Sequence, residues 1–344
     1  MNPRLRVAAA AVLTMLAGLG RFGGAPAAEL SAPSYGAFGL DLSGADPASR
    51  PGDDFFRHAN GAWSDRTAIP ADRARYGVDS VLTQISEAQV RDILEKGETG
   101  VAGEASVAAA KIGAFYASFM DEARTETLDL APIAAELDRV RTATSRDELA
   151  GQMGAVNATF LGSIFSLDIS PDAKDPNRYS VTVGQAGLGL PDRDYCLVPQ
   201  FADKKTAYEA YAADLLKMAG WDRPDEAARA VVAFESSIAE VSWTRTEDRD
   251  SEKLYNPMSV ADLAQAAPFA WSAFLAAGEL KDLERVVVLE NTAVVKIAAL
   301  YAAAPLDTLK AWQAFHLVDS AAPYLSKRFV DLNFSFRQKS LSGV

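Results

Sequence analysis

The 344-residue chain has two histidines, His58 and His316, and their separation of 258 positions limits the chemistry open to it. Hydrolytic zinc sites gather imidazole and carboxylate ligands around the ion and keep one position open for water. Their common helical form is His-Glu-x-x-His, because a spacing of four puts both rings on one helix face. Neither histidine begins that motif, so no metal ligand and no catalytic residue is expected here. One histidine with two carboxylates would also hold an ion, but no spacing singles out such a set. A Ser-His-Asp arrangement stays open in principle, without the Gly-x-Ser-x-Gly elbow that would support it. Cys196, the only cysteine, has no thiol partner and reads as a buried, inert side chain. Gly184, Gly187 and Gly189 do not match Gly-x-Gly-x-x-Gly, and no Gly-Lys-Ser/Thr follows, so they are expected to turn the chain. Most carboxylates, such as Glu235, Glu240 and the run Glu247 to Asp250, read as solvated faces.

The elements that would position any site are mainly helical. Ile112, Phe115, Tyr116 and Phe119 fall at i, i+3, i+4, i+7 and predict one apolar stripe. Val231, Phe234, Ile238 and Val241 predict a second, and Leu309, Trp312 and His316 a third, with His316 in or beside the core. Ser145 before Asp147-Glu148 reads as an N-cap with acids in the first turn. Phe160 to Ile169 and Tyr179 to Val183 are rich in β-branched and aromatic residues around a turn-forming cluster, which predicts a β-hairpin over about 160–186. Val286 to Leu289 is too short for periodicity to separate a strand from a buried helix start. The fold class expected is mainly α, one large helical lobe with a small hairpin insertion, over residues 51–344.

Apolar residues make up 49% and charged residues 23%, enough for a sizeable core. The formal net charge of −12 argues against a nucleic-acid partner, whose phosphates need a basic face. Residues 1–28 read as a secretory signal: Arg4 and Arg6, an uncharged stretch from Val7 to Gly20, then Ala25-Pro26-Ala27. The apolar run is shorter than the ~20 residues of a membrane-spanning helix, so no stable span is expected after cleavage. The expected location is periplasmic or extracellular. Residues 29–50, rich in Ser, Ala, Gly and Pro, read as an extended lead-in.

Several unusual strings follow in order. Pro51-Gly52-Asp53-Asp54-Phe55-Phe56 leads into Ala59-Asn60-Gly61-Ala62-Trp63, then Arg75-Tyr76-Gly77. Gly187-Leu-Gly-Leu-Pro191-Asp-Arg-Asp-Tyr195 and Tyr255-Asn256-Pro257-Met258-Ser259 come later. Each has a local reading. Asp53 and Asp54 can cap a helix starting near Phe55, Asn60-Gly61 suits a helix end, and Asn256 to Ser259 reads as a turn ending in an N-cap. Together, over about 41–344, the strings resemble the N-terminal region of the M13 peptidases, the neprilysin-like zinc endopeptidases.

The resemblance implies two largely helical lobes around a cavity that admits short peptides. It implies a zinc cofactor and catalytic glutamate in a C-terminal part, on His-Glu-x-x-His and a later Glu-x-x-x-Asp, which these residues lack. It also implies one substrate-binding residue. The Arg-Tyr-Gly arginine of the family serves a primed-side pocket, and Arg75 matches it, with a guanidinium fork suited to a peptide carboxylate or carbonyl. An interlobe ion pair is the structural alternative for Arg75. Where neprilysin has an acid five residues on, this chain has Ser80, after Asp79. The expected function is therefore the substrate-enclosing lobe of an exported zinc endopeptidase, inactive alone, with the missing catalytic half and short peptides as partners. Two alternatives are a non-catalytic peptide-binding protein of the same fold and a split enzyme completed by a second chain.

Overall fold

The computed structural model describes residues 41–71, 73, 75–99, 105–155 and 159–343. The expected signal segment lies outside the described residues, as do 29–40 of the expected lead-in. The described residues form two compact units, divided between Ile93 and Leu94.

In the first unit, Asp41 caps a 3-10 turn at Leu42–Gly44. Asp54 does cap the next helix, accepting from the Arg57 N–H, and that helix (α1, Phe55–Arg66) runs straight through Asn60-Gly61. The expected helix end is therefore corrected. Gly61 is small because a Cβ there would lie 2.7 Å from the Cβ of Asp46. Asp46 also pairs with Arg57, which reaches on to Asp65. α2 spans Val78–Thr99, and the division between the units falls within it.

The second unit begins with α3 (Ala105–Met120) and α4 (Glu122–Leu128), followed by α5 (Ala134–Thr142) and α6 (Arg146–Gly154). Ser145 caps α6 as expected, accepting from the Glu148 N–H. The hairpin consists of β1 (Phe165–Asp172) and β2 (Asp175–Gln185), so Phe160–Ile164 is not strand. The turn cluster is mostly absorbed into the strands. Asp172 Oδ1 accepts from the Lys174 N–H and closes the reversal locally.

Short α7 (Asp194–Leu197) precedes α8 (Ala202–Met218) and α9 (Pro224–Val241). Pro224 opens α9 with Asp225 and Glu226 in its first turn, where a fixed φ and negative charge suit the free N–H groups. β3 (Asn256–Ser259) replaces the expected turn, and its Ser259 caps α10 (Val260–Ala266) as expected. α11 (Trp271–Ala277) leads to β4 (Arg285–Val288), which settles the ambiguous apolar run as a strand. The sheet order is β1-β2-β4-β3, with β2 and β4 parallel and the other pairs antiparallel. The hairpin is thus half of a four-stranded mixed sheet.

α12 (Asn291–Ala303), α13 (Leu306–Ala321), α14 (Lys327–Phe334) and a π-helix at Ser335–Ser342 complete the unit. The fold is mainly α, as expected. α13 is buried on nearly all sides from Ala311 to Val318, which marks it as the central helix. Val231, Phe234 and Ile238 of α9 are buried against the same core, which also takes Trp312 and Phe315. Among the described residues, no single helix is long and apolar enough to cross a membrane.

One expected stripe does not face the core. Ile112, Phe115 and Phe119 of α3 are all exposed, Phe115 by 75%. Periodicity built the helix, but nothing among the described residues covers that face.

Candidate functional site

The sequence points first to Arg75, in the first unit. Its neighbours are tied down. Tyr76 stacks on Trp63 with ring centroids 6.5 Å apart, and its hydroxyl donates to Gln84 Oε1 at 2.9 Å. Gly77 is the residue before α2, and its N–H donates to Ser80 Oγ at 3.3 Å, a side chain in the first turn reaching back to the N-cap. Ser80 is buried in this role. Arg73 pairs with Glu87 at 3.7 Å. Arg75 itself is exposed and has no hydrogen bond or ion pair among the described residues. Tyr76 and Gly77, which follow Arg75, are thus held by contacts of their own.

His58 and His316 lie in separate units. His58 Nδ1 sits 2.8 Å from the Ser49 carbonyl oxygen, a structural contact. No group of three or more His, Cys, Asp or Glu that could hold a metal ion occurs among the described residues. Cys196 is buried, and burial pushes its thiol up to about 11, so it is a poor nucleophile.

The second unit holds a buried polar cluster that joins Glu235, read from the sequence as one of the solvated carboxylates, to His316, which is buried as expected. Glu235 of α9 is fully buried. It accepts from Tyr208 Oη, 2.9 Å from both carboxyl oxygens, and from the Gly189 N–H at 2.9 Å. His316 Nε2 lies 2.8 Å from Oε1. With a carboxylate oxygen as acceptor, the tautomer that makes this hydrogen bond carries its proton on Nε2. Burial, then the Glu235 charge, holds the Tyr208 hydroxyl well above the ordinary tyrosine range, so it stays a donor. On the other side of Gly189, its carbonyl accepts from Arg337, which pairs with Asp319. The Gly-Leu-Pro string is therefore held at Gly189 by a carboxylate on the N–H and a guanidinium on the carbonyl. A signal for the cluster existed: Val231, Glu235 and Ile238 share i, i+4, i+7 spacing, which puts one acid on an apolar face.

A second carboxylate, Asp172, ties the sheet together. It accepts from Ser180 Oγ of β2 at 2.6 Å, Tyr255 Oη at 2.8 Å and Arg285 Nη1 of β4 at 3.2 Å. The Ser180 hydroxyl first, helped by the Lys174 N–H, Tyr255 and Arg285, holds this carboxyl well below the usual carboxylate range against the opposing effect of desolvation. A folded-state value below the unfolded one stabilises the fold above the unfolded pKa of about 4 and is lost as pH falls through the folded value. Asp172→Asn is therefore expected to lower the melting temperature at pH 7 and to flatten its fall between pH 5 and 3. An unchanged acid limb in thermal melts would remove Asp172 from the account. The run Glu247 to Asp250 is corrected at one position: Asp248 is half-buried, its Oδ1 lacks a hydrogen-bond partner, and burial followed by the Glu290 charge pushes its carboxyl up.

The N-terminal profile of peptidase family M13 matches residues 51–344. Human endothelin-converting enzyme 1 is 29% identical over 313 residues, which cover 86% of this chain and 40% of that one. The structure superposes on Mycobacterium tuberculosis zinc metalloprotease Zmp1 in complex with an inhibitor with a TM-score of 0.82 at 31% identity, over 88% of this chain and 47% of that one. PepO from Lactobacillus rhamnosis shares the fold at a TM-score of 0.69 and 19% identity, over 86% of this chain and 47% of that one. The chain thus spans less than half the length of each of these relatives.

Proposed function

The chain belongs to peptidase family M13, and from that premise we propose that it is the substrate-enclosing N-terminal lobe of an exported zinc endopeptidase that cleaves short peptides. The observation that carries this reading is a family match from residue 51 to residue 344 over less than half of the relatives' length. The residues present do not fit a catalytic zinc: two histidines 258 positions apart offer no helical ligand pair, and no metal-holding cluster occurs among the described residues. The ligands and the base belong to the catalytic portion, and no catalytic step is assigned to this chain. What its own residues contribute is a wall and the exposed guanidinium of Arg75, next to the anchored Tyr76 and suited to a peptide carboxylate or carbonyl. Export rests on the signal-like residues 1–28.

Reading the gene past codon 344 is the first test, and a His-Glu-x-x-His, in frame or frame-shifted, is the expected find. The 344-residue chain incubated with zinc and a quenched fluorogenic peptide is expected to show no chelator-sensitive cleavage. In a polypeptide that includes the motif, Arg75→Ala is expected to lower kcat/KM about 10- to 100-fold, the range of a lost charge-assisted hydrogen bond, chiefly through KM. Chelator-sensitive turnover by the short chain would overturn the reading. A clean stop after codon 344 with peptide binding but no cleavage would replace it by the peptide-binding alternative.

A further inference from the structure

We propose that the aromatic face formed by Phe115 and Phe119 of α3, Phe160 and Tyr324 is the surface on which the catalytic portion of the peptidase packs. The inference rests on the family reading above and names where its partner sits. Isolated exposed apolar residues need no explanation, whereas a contiguous group does. These residues form such a group. Phe119 meets Tyr324 edge-on with ring centroids 6.4 Å apart, and Phe160 meets the same ring at 5.6 Å. Phe119, Phe160 and Tyr324 are nonetheless 57%, 42% and 58% exposed. Three distant stretches of sequence have been brought together without being covered.

The face is preformed. Asp129, just after α4, holds a positive φ of 49° that a non-glycine residue adopts only when its surroundings enforce it. Its carboxylate receives Arg328 through Nε, at 2.9 Å, and Nη2, together with the Ser326 hydroxyl. Glu126 accepts from the Lys327 N–H at the start of α14. These contacts lock the segment that carries Tyr324 to the helix that follows α3. A surface already ordered needs little further ordering when a partner docks.

The place of the face along the chain selects the occupant. Tyr324 falls within the last 21 residues. The relatives that share residues 51–344 are more than twice as long, and the matching profile is that of the family's N-terminal region. The occupant of the face is then the segment that continues this region in those relatives. A water-excluding contact rich in aromatic side chains is what a large, permanent interface requires.

Hydroxyl-radical footprinting read by mass spectrometry tests this on two samples: the recombinant 344-residue chain and the native gene product purified from its own cells. Phe119 and Tyr324 are expected to be labelled readily in the recombinant chain and several-fold more slowly in the native product. Equal rates in both would overturn the proposal. So would protection already present in the recombinant monomer, which would mean that the chain covers its own face. Protection in a native product whose denatured polypeptide has this chain's own mass but whose mass in solution is twice that would assign the face to a second copy instead. A native product that cleaves peptides but leaves Tyr324 readily labelled sinks this inference alone. A native product protected at Tyr324 but without peptidase activity sinks the hydrolase reading alone.

Discussion

Glu235→Ala is expected to lower the stability of the second unit by about 4 kcal/mol, since each buried donor left without an acceptor costs about 1–3 kcal/mol and the losses are not additive. Three donors lose their partner at once: Tyr208 Oη, the Gly189 N–H and His316 Nε2. The Gly189 peptide is the most sensitive of these, because its carbonyl remains held by Arg337 and the loop cannot swing to find water. Glu235→Gln keeps an acceptor oxygen but turns an amide NH2 toward the remaining donors, so an intermediate loss is expected. Tyr208→Phe removes a donor together with its need for a partner, and in the Glu235→Ala background it is expected to cost less than it does alone. Urea melts of the two single variants and the double variant measure that coupling. If Glu235→Ala shifts the midpoint by less than 1 kcal/mol equivalent while the m-value is unchanged, the cluster does not hold the fold together.

Gly154→Ala is expected to be comparably damaging, although alanine is ordinarily the better helix former by about 1 kcal/mol. Gly154 closes α6 where that helix touches α11. A Cβ there would lie 1.9 Å from the Phe274 carbonyl oxygen and 2.8 Å from its carbon, both backbone atoms. No rotamer change removes a backbone clash, so the helices must separate. Gly278, just past α11, faces the same contact, with a Cβ position 3.1 Å from the Gly154 oxygen. Overpacking of this kind costs about 3 kcal/mol or more, which corresponds to a fall in melting temperature of roughly 6–12 °C for a unit of this size. Gly52→Ala is the matched control, since nothing lies within 4 Å of its Cβ position and no change is expected. A Gly154→Ala protein that melts with the wild type would show that α6 and α11 do not approach this closely in solution.

Both sites show where the sequence was legible and where it was not. Caps were readable because they are local: Asp54, Ser145 and Ser259 each bond an N–H within three residues of themselves. Helical periodicity located α9 and α13 for the same reason. The strand Asn256–Ser259 was missed because a four-residue edge strand has no period to read, and only Val286 to Val288 across from it make it a strand. Asn60-Gly61 has the composition of a helix end and lies inside a helix, because Asp46 packs where a Cβ would be. Glu235 looked like one acid among many until Tyr208, Gly189 and His316, up to 81 residues away, closed around it.

The sequence by itself determined that these residues offer no helical histidine pair for zinc, that the chain is mainly α, and that its ordered strings resemble the M13 N-terminal region. Those conclusions need only residue identity, short-range spacing and order, which are properties of the chain. The tertiary structure alone decided which apolar stripe is core and which is surface. The stripes of α3 and α9 follow the same rule of spacing, yet Val231 and Ile238 are buried while Phe115 and Phe119 stand exposed. Amphipathicity fixes which side of a helix seeks cover, and only the packing of distant segments determines whether cover is there.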